Sequence, residues 1–212
     1  MTLLKSDLFG QMTLEQERGQ AVVVRDSGPA RWWLAWLARR LCCREARALA
    51  RLDGLPGTPR LLAAEAHRLR REWIEGRPMQ VAKPRDPDYF RRARRLVSAL
   101  HRRGVAHNDL AKEPNWLVTP IGAPALLDFQ LATVSARRGR LFRLLAREDL
   151  RHLLKHKRMY CPERLTARER RMLATPAMTS RLWMATGKPV YRFVTRRLLG
   201  WADREGAGDR RF

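Results

Sequence analysis

Three oxygen-bearing side chains of this sequence lie around one predicted hairpin. Asn115 precedes the apolar segment 116–119, and Asp128 follows the apolar segment 125–127. The two ends of an antiparallel hairpin lie side by side, so Asn115 and Asp128 are expected to be close together. Asp109 lies in the polar loop that leads into the same end of the hairpin. The spacing therefore predicts that the three side chains converge on one point.

This combination of side chains favours phosphate transfer. A site with oxygen ligands and few protein donors suits Mg²⁺ that is bound together with the phosphates of a nucleotide. A carboxylate that does not bind the metal can accept the proton of a hydroxyl group. The alternative is that Asp109 and Asp128 only cap turns. That alternative does not explain why both flank the same hairpin.

Strands dominate the first third of the chain and helices the rest. Strand-like segments occur within residues 1–25, at 61–64 and at 67–74. A long helix over 31–52 separates the first of these from the others, and a second helix ends near Gly104. After about residue 140 the chain is predicted to be helical and basic. The predicted fold class is α+β, with two lobes.

The helix over 31–52 carries a carboxylate on its apolar side. Glu45 lies between Leu41 and Leu49 in a stripe that repeats every three or four residues. A buried carboxylate is costly unless a cation meets it. The pattern therefore predicts a cationic partner for Glu45, unless Glu45 lies at the edge of the stripe in solvent.

The loop and hairpin together resemble the active site of the protein-kinase superfamily. The segment from His107 through Asp109 to Asn115 is similar to the catalytic loop H-x-D-L…N, and Asp128 with Phe129 is similar to D-F-G. The resemblance implies that Asp109 is the catalytic base and that Asn115 and Asp128 bind Mg²⁺ beside ATP. It implies an architectural role for His107, not a proton shuttle.

Matches in the same order lie upstream, so that the resemblance spans roughly residues 8–160. Glu45 matches the helix-C glutamate, and Arg25 stands where the V-A-I-K strand has lysine. The segment Glu72-Trp73-Ile74 matches the hinge that contacts the nucleotide. The resemblance implies an N-lobe over 1–76 with its hinge near 72–76, and a C-lobe over 77–212. The C-lobe would hold the catalytic loop 107–115, the metal-binding hairpin 115–130 and a basic helical C-terminus.

Four features depart from that superfamily. The step from Asp109 to Asn115 is one residue longer than usual, and Arg25 replaces lysine, which is not a conservative change. No glycine-rich phosphate loop precedes Arg25. Gln130 replaces the glycine of D-F-G, and no A-P-E segment follows. Lys112 in the longer loop is expected either to reach the γ-phosphate or to be a solvated charge.

These departures resemble the minimal branches of the superfamily. Those are the RIO-like atypical Ser/Thr kinases and the bacterial lipopolysaccharide-core (Kdo/heptose) kinases. The segment around Asp149 is similar to the helix that follows the site in those branches. The resemblance implies that Asp149 braces the catalytic loop, whereas the alternative is an ordinary helix-surface or capping aspartate.

The charge of the chain favours anionic partners. The formal net charge is +23, and since six of the 44 basic residues are lysine, 38 are arginine. Such a field attracts nucleotides, nucleic acids or an acidic membrane surface, although compositional drift toward arginine is an alternative cause. RNA is the least favoured partner because no RNA-recognition motif is present. The aromatic group Trp32, Trp33 and Trp36 is expected to pack on the sheet, with a membrane contact as the alternative. The basic stretch 188–201 suggests either a lipid contact or closure of the large lobe.

The cysteines and the hydropathy favour a cytoplasmic location. The three cysteines form no CxxC pair and their number is odd, so neither a zinc site nor a disulfide framework is expected. The N-terminal segment has no long apolar stretch, and no signal peptide or membrane-spanning helix is expected. The expected location is the cytoplasm, with peripheral binding to the inner membrane face as an extension.

The predicted function is an ATP- and Mg²⁺-dependent phosphotransferase. It would be serine/threonine-kinase-like and transfer the γ-phosphate to a hydroxyl acceptor, either a protein or a glycolipid. One alternative is a lipopolysaccharide-core sugar kinase at the inner membrane face. The other is a nucleotide-binding pseudokinase or binding module, because Arg25 and the missing glycine-rich loop put turnover in question.

Overall fold

The computed structural model describes residues 1–17 and 19–174, which form an α+β structure with a small antiparallel sheet and several helices. This confirms the α+β class of the prediction. Residues 1–165 form one compact unit, and a second unit begins at Thr166. The stretch 188–201, predicted to be basic and amphipathic, lies outside the described residues.

Five antiparallel strands form the sheet of the first third, as predicted. They are β1 (Thr2–Asp7), β2 (Gly10–Glu17), β3 (Gln20–Asp26), β4 (Leu61–Ala64) and β5 (Arg68–Glu72), in the order β1-β2-β3-β5-β4. The valines 22–24 of β3 are all buried, although neighbouring side chains of a strand point to opposite faces. Both faces of β3 are therefore covered at this point.

Helix α1 (Ala35–Arg51) begins four residues later than the predicted 31–52 helix. No side chain caps its N-terminus. The N–H of Arg31 instead donates to the carbonyl of Leu8, which ties the preceding turn to the end of β1. The buried face of α1 includes Glu45 and Leu49 and lies against β4 and β5.

The prediction that the tryptophans pack on the sheet is wrong. Trp32 is 88% exposed and Trp36 is 63% exposed, while Trp33 is partly exposed. Because α1 starts at Ala35, Trp32 and Trp33 precede the helix and do not share its buried face. Trp36 precedes Glu45 by nine residues, which is about two and a half turns of helix. The two side chains therefore lie on opposite sides of α1.

The remaining strands and helices surround the predicted hairpin. In chain order they are β6 (Arg77–Pro78), α2 (Met79–Ala82), α3 (Pro87–Arg102), β7 (Val105–Ala106), β8 (Trp116–Val118), β9 (Pro124–Leu126), β10 (Thr133–Val134) and α4 (Arg140–Tyr160). A further helix, α5 (Ala167–Ala174), belongs to the second unit. β8 and β9 form the predicted hairpin, to which β6 adds a third strand, and β7 pairs with β10. Two-residue strands carry too little pattern for the sequence to predict β6 and β10.

The core of the first unit packs α3 against the hairpin. Tyr89 of α3 is fully buried, and its hydroxyl donates to the carbonyl of Leu117 in β8 at 3.0 Å. The indole of Trp116 is also buried and donates to the carbonyl of Leu110 at 3.1 Å. Buried aromatic side chains that carry a polar atom need such partners. These two bonds fix the hairpin to α3 and to the loop before it.

Gly104 allows β7 and β10 to pair. Its φ of +76° is in the left-handed region, and a Cβ here would collide with the carbonyl of Ser135. The N–H of Ser135 donates to the carbonyl of Gly104 at 2.8 Å.

Among residues 1–17 and 19–174, no helix is both long enough and apolar enough to cross a bilayer.

Two histidines of α4 make the stability of the protein depend on pH. Burial lowers the pKa of His152 from 6.5 to about 4, with Lys155 adding to the shift and Asp149 opposing it. Burial also lowers the pKa of His156. Between pH 6.5 and about 4 the unfolded chain therefore binds more protons than the folded chain.

We expect the free energy of unfolding to fall as the pH is lowered from about 6.5 to about 4. One such histidine contributes up to about 1.4 kcal/mol per pH unit in this window. The variant His152→Gln should show a shallower slope in urea unfolding measured across this range. His67→Gln, at an exposed position, is the matched control and should keep the wild-type slope. Equal slopes for all three proteins would contradict the assignment.

Candidate active site

The loop between β7 and β8 brings two predicted site residues, Lys112 and Asn115, to the carboxylate of a third, Asp109. Oδ2 of Asp109 accepts a hydrogen bond from Nδ2 of Asn115 at 3.0 Å and lies 3.0 Å from Nζ of Lys112. Nδ2 of Asn115 also donates to the backbone carbonyl of Asp109 at 2.9 Å. The Asp109 side chain is 14% exposed, so a ligand can still reach it. The structure thus brings Asp109, Lys112 and Asn115 together.

The extra residue of this loop is taken up by a 3₁₀ turn over Glu113–Asn115. The N–H of Asn115 donates to the carbonyl of Lys112 at 3.2 Å, which closes the turn. Pro114 suits the start of such a turn because it lacks an N–H and has a fixed φ. The longer spacing therefore leaves Asn115 within reach of Asp109.

The hairpin places Asp128 beside Asn115. The N–H of Leu127 donates to the carbonyl of Asn115 at 3.0 Å, and Trp116 pairs with Leu126. Asp128 follows with φ +62°, a left-handed conformation that is uncommon for residues other than glycine. The chain thus turns sharply at Asp128.

His107 has the architectural role that the resemblance implied. It is fully buried, and its Nε2 donates to the carbonyl of Leu127 at 2.9 Å. Its Nδ1 is then free of hydrogen and accepts from the N–H of Asp109 at 3.4 Å. The imidazole also stacks near Phe129, with ring centroids 4.6 Å apart. His107 therefore joins the loop of Asp109 to the residues that flank Asp128.

Asp128 carries one of the buried side-chain oxygens that lack a hydrogen-bond partner. Its Oδ1 is buried and accepts no hydrogen bond from residues 1–17 and 19–174. Nη2 of Arg25 lies 3.9 Å from this oxygen. A buried carboxylate oxygen without a partner is costly. A cation bound at this oxygen would remove that cost, so Asp128 fits the role of a metal ligand.

Glu45 meets two arginines inside the molecule. It is fully buried, with Oε2 at 3.2 Å from Nε of Arg25 and Oε1 at 3.4 Å from Nε of Arg71. The two arginines lie on neighbouring strands, and the register of β3 with β5 puts both side chains on the face toward α1. The predicted cation for Glu45 is therefore present, and a second accompanies it.

Arg71 is a site residue that the prediction missed. The alternation of β5 already put Arg71 on the same face as buried Leu69, which was the available signal. Burial lowers the pKa of Arg71, with Glu45 opposing that shift. Burial works against Arg25 too, but Glu45 and then Asp128 outweigh it and raise its pKa. Both side chains stay cationic at neutral pH because guanidinium is the most basic group among protein side chains.

Arg25 and Gln130, two residues that differ from the kinase pattern, contact each other. With its amide oriented to satisfy both groups, the oxygen of Gln130 accepts hydrogen bonds from the guanidinium of Arg25. The larger, forked cation on β3 is thus matched by a longer polar side chain two residues after Asp128. From α1, Nη2 of Arg44 donates to the carbonyls of Leu131 and Ala132 at 3.1 and 3.2 Å.

Asp149 holds the loop between β7 and β8 by its backbone. The carboxylate is fully buried, and it accepts from the N–H of His107 at 2.8 Å and from the N–H of Asn108 at 2.9 Å. Nε2 of His101 donates to the same carboxylate at 3.0 Å. The alternative of a surface or capping aspartate is wrong, and Asp149 braces the loop as the resemblance implied.

Two further residues of α4 continue this brace and were not predicted. Nε2 of His156 donates to the carbonyl of Leu110 at 2.8 Å, and the hydroxyl of Tyr160 donates to Glu113 at 2.8 Å. Asp149, His156 and Tyr160 are seven and four residues apart, so they share one face of α4. That spacing was the only available signal. α4 therefore supports the loop along its length.

We expect Asp149→Asn to loosen the loop. The wild-type carboxylate accepts one backbone N–H with each of its charged oxygens, whereas asparagine has a single uncharged oxygen. A hydrogen bond to a charged group contributes about 1.5–3 kcal/mol. Hydrogen exchange of the His107 and Asn108 amides should accelerate by at least about tenfold. Asp88→Asn on α3, where the carboxylate pairs with surface arginines, is the control. Unchanged exchange at both amides would contradict the brace.

Two of the predicted hinge residues, Glu72 and Trp73, pair with β3 or with Arg60 through their backbone. The N–H of Glu72 donates to the carbonyl of Arg60, and the N–H of Trp73 donates to the carbonyl of Ala21. Ile74 follows at the end of β5. Within the described part of the chain, no hydrogen bond or ion pair links Glu72, Trp73 or Ile74 to Asp109 or Arg25. Their assignment to nucleotide binding stays a prediction.

Comparison with known proteins adds one partial similarity. No protein-family model matches the chain. A probable SapB synthase from Streptomyces coelicolor is 36% identical over 113 residues, which cover 42% of this chain and 12% of that protein. The chain thus spans about an eighth of the length of this curated relative. The match covers too little of either protein to show a family.

The donor set at this site suits a metal with few protein ligands. No group of three or more His, Cys, Asp or Glu side chains that could hold a metal occurs in residues 1–17 and 19–174. Oδ1 of Asp128 and the amide oxygen of Asn115 are the donors available here, since Nδ2 of Asn115 is turned toward Asp109. Mg²⁺ commonly takes one or two protein oxygens and completes its shell with phosphates and water.

Proposed function

We propose that this protein is an ATP- and Mg²⁺-dependent phosphotransferase of the protein-kinase-like type, with a serine/threonine-kinase-like reaction. Under this proposal residues 1–76 act as the N-lobe and the chain from residue 77 as the C-lobe. The observation that carries the proposal is the Asp109 carboxylate, held by Asn115 and Lys112 at the end of the hairpin that bears Asp128. The resemblance supplies the roles, and the geometry supports them.

Under this proposal Asp109 acts as the general base. Its Oδ2 is engaged by Asn115 and Lys112, which leaves Oδ1 to accept the proton of an acceptor hydroxyl. The hydroxyl oxygen then bonds to the γ-phosphorus of ATP as the bond to the bridging oxygen breaks. The products are the phosphorylated acceptor, ADP and the proton on Asp109. Lys112 adds positive charge where the transferred phosphate passes.

Asp128 and Asn115 would hold Mg²⁺, and Arg25 would hold the phosphates of the nucleotide. When bound, Mg²⁺ supplies positive charge that offsets the charge of the phosphates. Arg25 is set in position by Glu45, which faces it from α1, and by Gln130. An arginine so anchored offers a permanent cation at the place where relatives have lysine. The rival function is a nucleotide-binding pseudokinase, in which these groups bind ATP without turnover.

The test is incubation with γ-labelled ATP and Mg²⁺ in the presence of membrane and cytosol extracts. Wild-type protein is expected to transfer label, and chelation of Mg²⁺ is expected to stop the transfer. Label in protein would assign a serine/threonine-type acceptor, and label in lipid a glycolipid. Equal labelling by Asp109→Ala would overturn the proposal. Binding of ATP without any transfer would assign the pseudokinase function.

One observation favours the second candidate, a glycolipid kinase at a membrane surface. Trp32 and Trp36 are largely exposed, and exposed arginines flank them at positions 31, 39 and 40. Indole rings suit the headgroup level of a bilayer, and arginines are attracted to anionic lipids. Trp36 lies on α1, the helix that also carries Glu45, the ion-pair partner of Arg25.

We expect Trp32→Ala/Trp36→Ala to weaken binding to vesicles of phosphatidylcholine with phosphatidylglycerol. Removing two apolar contacts with the bilayer should lower the affinity by about tenfold or more. Co-sedimentation with vesicles measures this. Trp73→Ala, at an exposed indole outside α1, is the matched control. If the double variant and the control bind as the wild type does, the membrane surface is not at these tryptophans.

A further inference from the structure

An open pocket lies beside the first half of α4. Its volume is about 580 Å³. Five of its nine lining residues are exposed arginines, and most of the lining surface is apolar. The lining residues are His101, Arg102, Arg137, Arg138, Phe142, Arg143, Ala146, Arg147 and Leu150. None of the five arginines belongs to the site around Asp109.

The five arginines of this pocket lack carboxylate partners. In residues 1–17 and 19–174, no Asp or Glu oxygen lies within 4.0 Å of their guanidinium nitrogens. The nearest acid in sequence, Glu148, pairs with Arg151 instead, at 3.8 Å. Five positive charges around one pocket repel each other unless an anion is present. The concentration of charge therefore points to an anionic ligand.

The arginines come from three segments that the fold brings together. Arg102 ends α3, Arg137 and Arg138 precede α4, and Arg143 and Arg147 lie one turn apart on α4. The N-terminus of α4 at Arg140 adds the positive end of the helix dipole. Guanidinium groups bind phosphate oxygens in pairs, which a point charge such as lysine cannot do. The ligand best matched is a phosphate with several oxygens to share.

The pocket also has an apolar floor. Phe142 contacts the ring of His101 edge to face, with centroids 6.3 Å apart, and Leu150 lies on the same side. A floor of this kind can cover a ring or chain that carries the phosphate. We propose that this pocket binds a multiply charged, phosphate-bearing anion at a site separate from the Asp109 centre.

The β7–β10 ribbon separates the two sites and His101 connects them. β7 leads into the catalytic loop at one end, and Arg102 and Arg137 flank the other end. His101 lines the pocket and donates to Asp149, the carboxylate that holds the loop. His101 and Asp149 therefore link the pocket to the backbone N–H groups of His107 and Asn108, which precede Asp109. This site goes beyond the proposed phosphate transfer and does not depend on it.

The first test measures binding of tripolyphosphate to the full chain by titration calorimetry without Mg²⁺. Arg143→Gln/Arg147→Gln is expected to weaken binding by at least about tenfold, because two charge-assisted contacts are lost. Arg94→Gln/Arg95→Gln, two exposed arginines of α3, removes the same charge elsewhere and should bind as the wild type does. Should the α4 variant unfold in a melting experiment, Arg137→Gln/Arg138→Gln in the preceding loop takes its place.

The second arm distinguishes a free ligand from a lipid headgroup. Phosphatidylcholine vesicles with and without phosphatidic acid, whose headgroup is a phosphate monoester, are offered to the same three proteins. Loss of tripolyphosphate binding in the pocket variant assigns a soluble phosphate compound. Loss of binding only to the phosphatidic acid vesicles assigns a headgroup. If the pocket variant and the α3 control lose equal affinity in both arms, or neither loses any, the pocket is not a binding site.

Discussion

Replacing Asp109 with asparagine is expected to reduce phosphate transfer by about 10²–10⁴-fold, the usual contribution of a general base. The amide has nearly the same shape and can still accept from Asn115, so the loop keeps its structure. It cannot take a proton from the acceptor hydroxyl. The loss should therefore appear in kcat, measured with γ-labelled ATP once the acceptor class is known.

The affinity for nucleotide separates this role from a structural one. Under the proposal Arg25 and Asp128 bind the phosphates and the metal, so Asp109→Asn should bind ATP with Mg²⁺ as tightly as wild type does. Asp53→Asn, an exposed aspartate after α1, should leave both rate and affinity unchanged. A variant at Asp109 that keeps its rate would remove the proposed base. A variant that loses ATP binding instead would reassign Asp109 to the nucleotide.

Replacing Glu45 with glutamine is expected to destabilise the protein by about 3–5 kcal/mol. The change leaves two buried guanidinium groups, those of Arg25 and Arg71, with no carboxylate between them. The two cations then repel each other in a region of low dielectric constant. Urea unfolding followed by circular dichroism measures the loss in free energy.

The matched control for this change is Glu65→Gln, on an exposed position after β4, which should shift the free energy of unfolding by less than about 0.5 kcal/mol. Adding Arg71→Met to Glu45→Gln should recover part of the lost stability, because it removes one of the unpaired buried cations. If Glu45→Gln lowers the free energy of unfolding as little as the control does, the ion pairs of Glu45 with Arg25 and Arg71 do not stabilise the fold.

Local spacing was enough to predict the hairpin and the loop before it. Asn115 and Asp128 flank two short apolar strands, and the geometry of one turn brings such ends together whatever surrounds them. The five strands of the first third and the burial of Glu45 followed likewise from period-2 and period-3.6 patterns. The brace by Asp149 was implied by resemblance, and the hydrogen bonds bear it out.

Contacts between distant segments were decided by the tertiary structure alone. The pairing of Gln130 with Arg25 and of Arg71 with Glu45 depends on how β3, β5 and α1 are arranged, which no local pattern contains. The same holds for the arginine pocket, whose walls come from α3, α4 and the loop between β10 and α4. The exposure of Trp32 was predicted wrongly because a late helix start moved it off the buried face.

The residues alone thus determined that Asn115 and Asp128 flank the same end of a hairpin, because a two-strand turn is a short-range constraint. Which cations face these residues, and which charges remain without a partner, was decided only when the sheet and helices packed. Electrostatic partners lie close in space but far apart in sequence, and the periodicity of one segment cannot specify them.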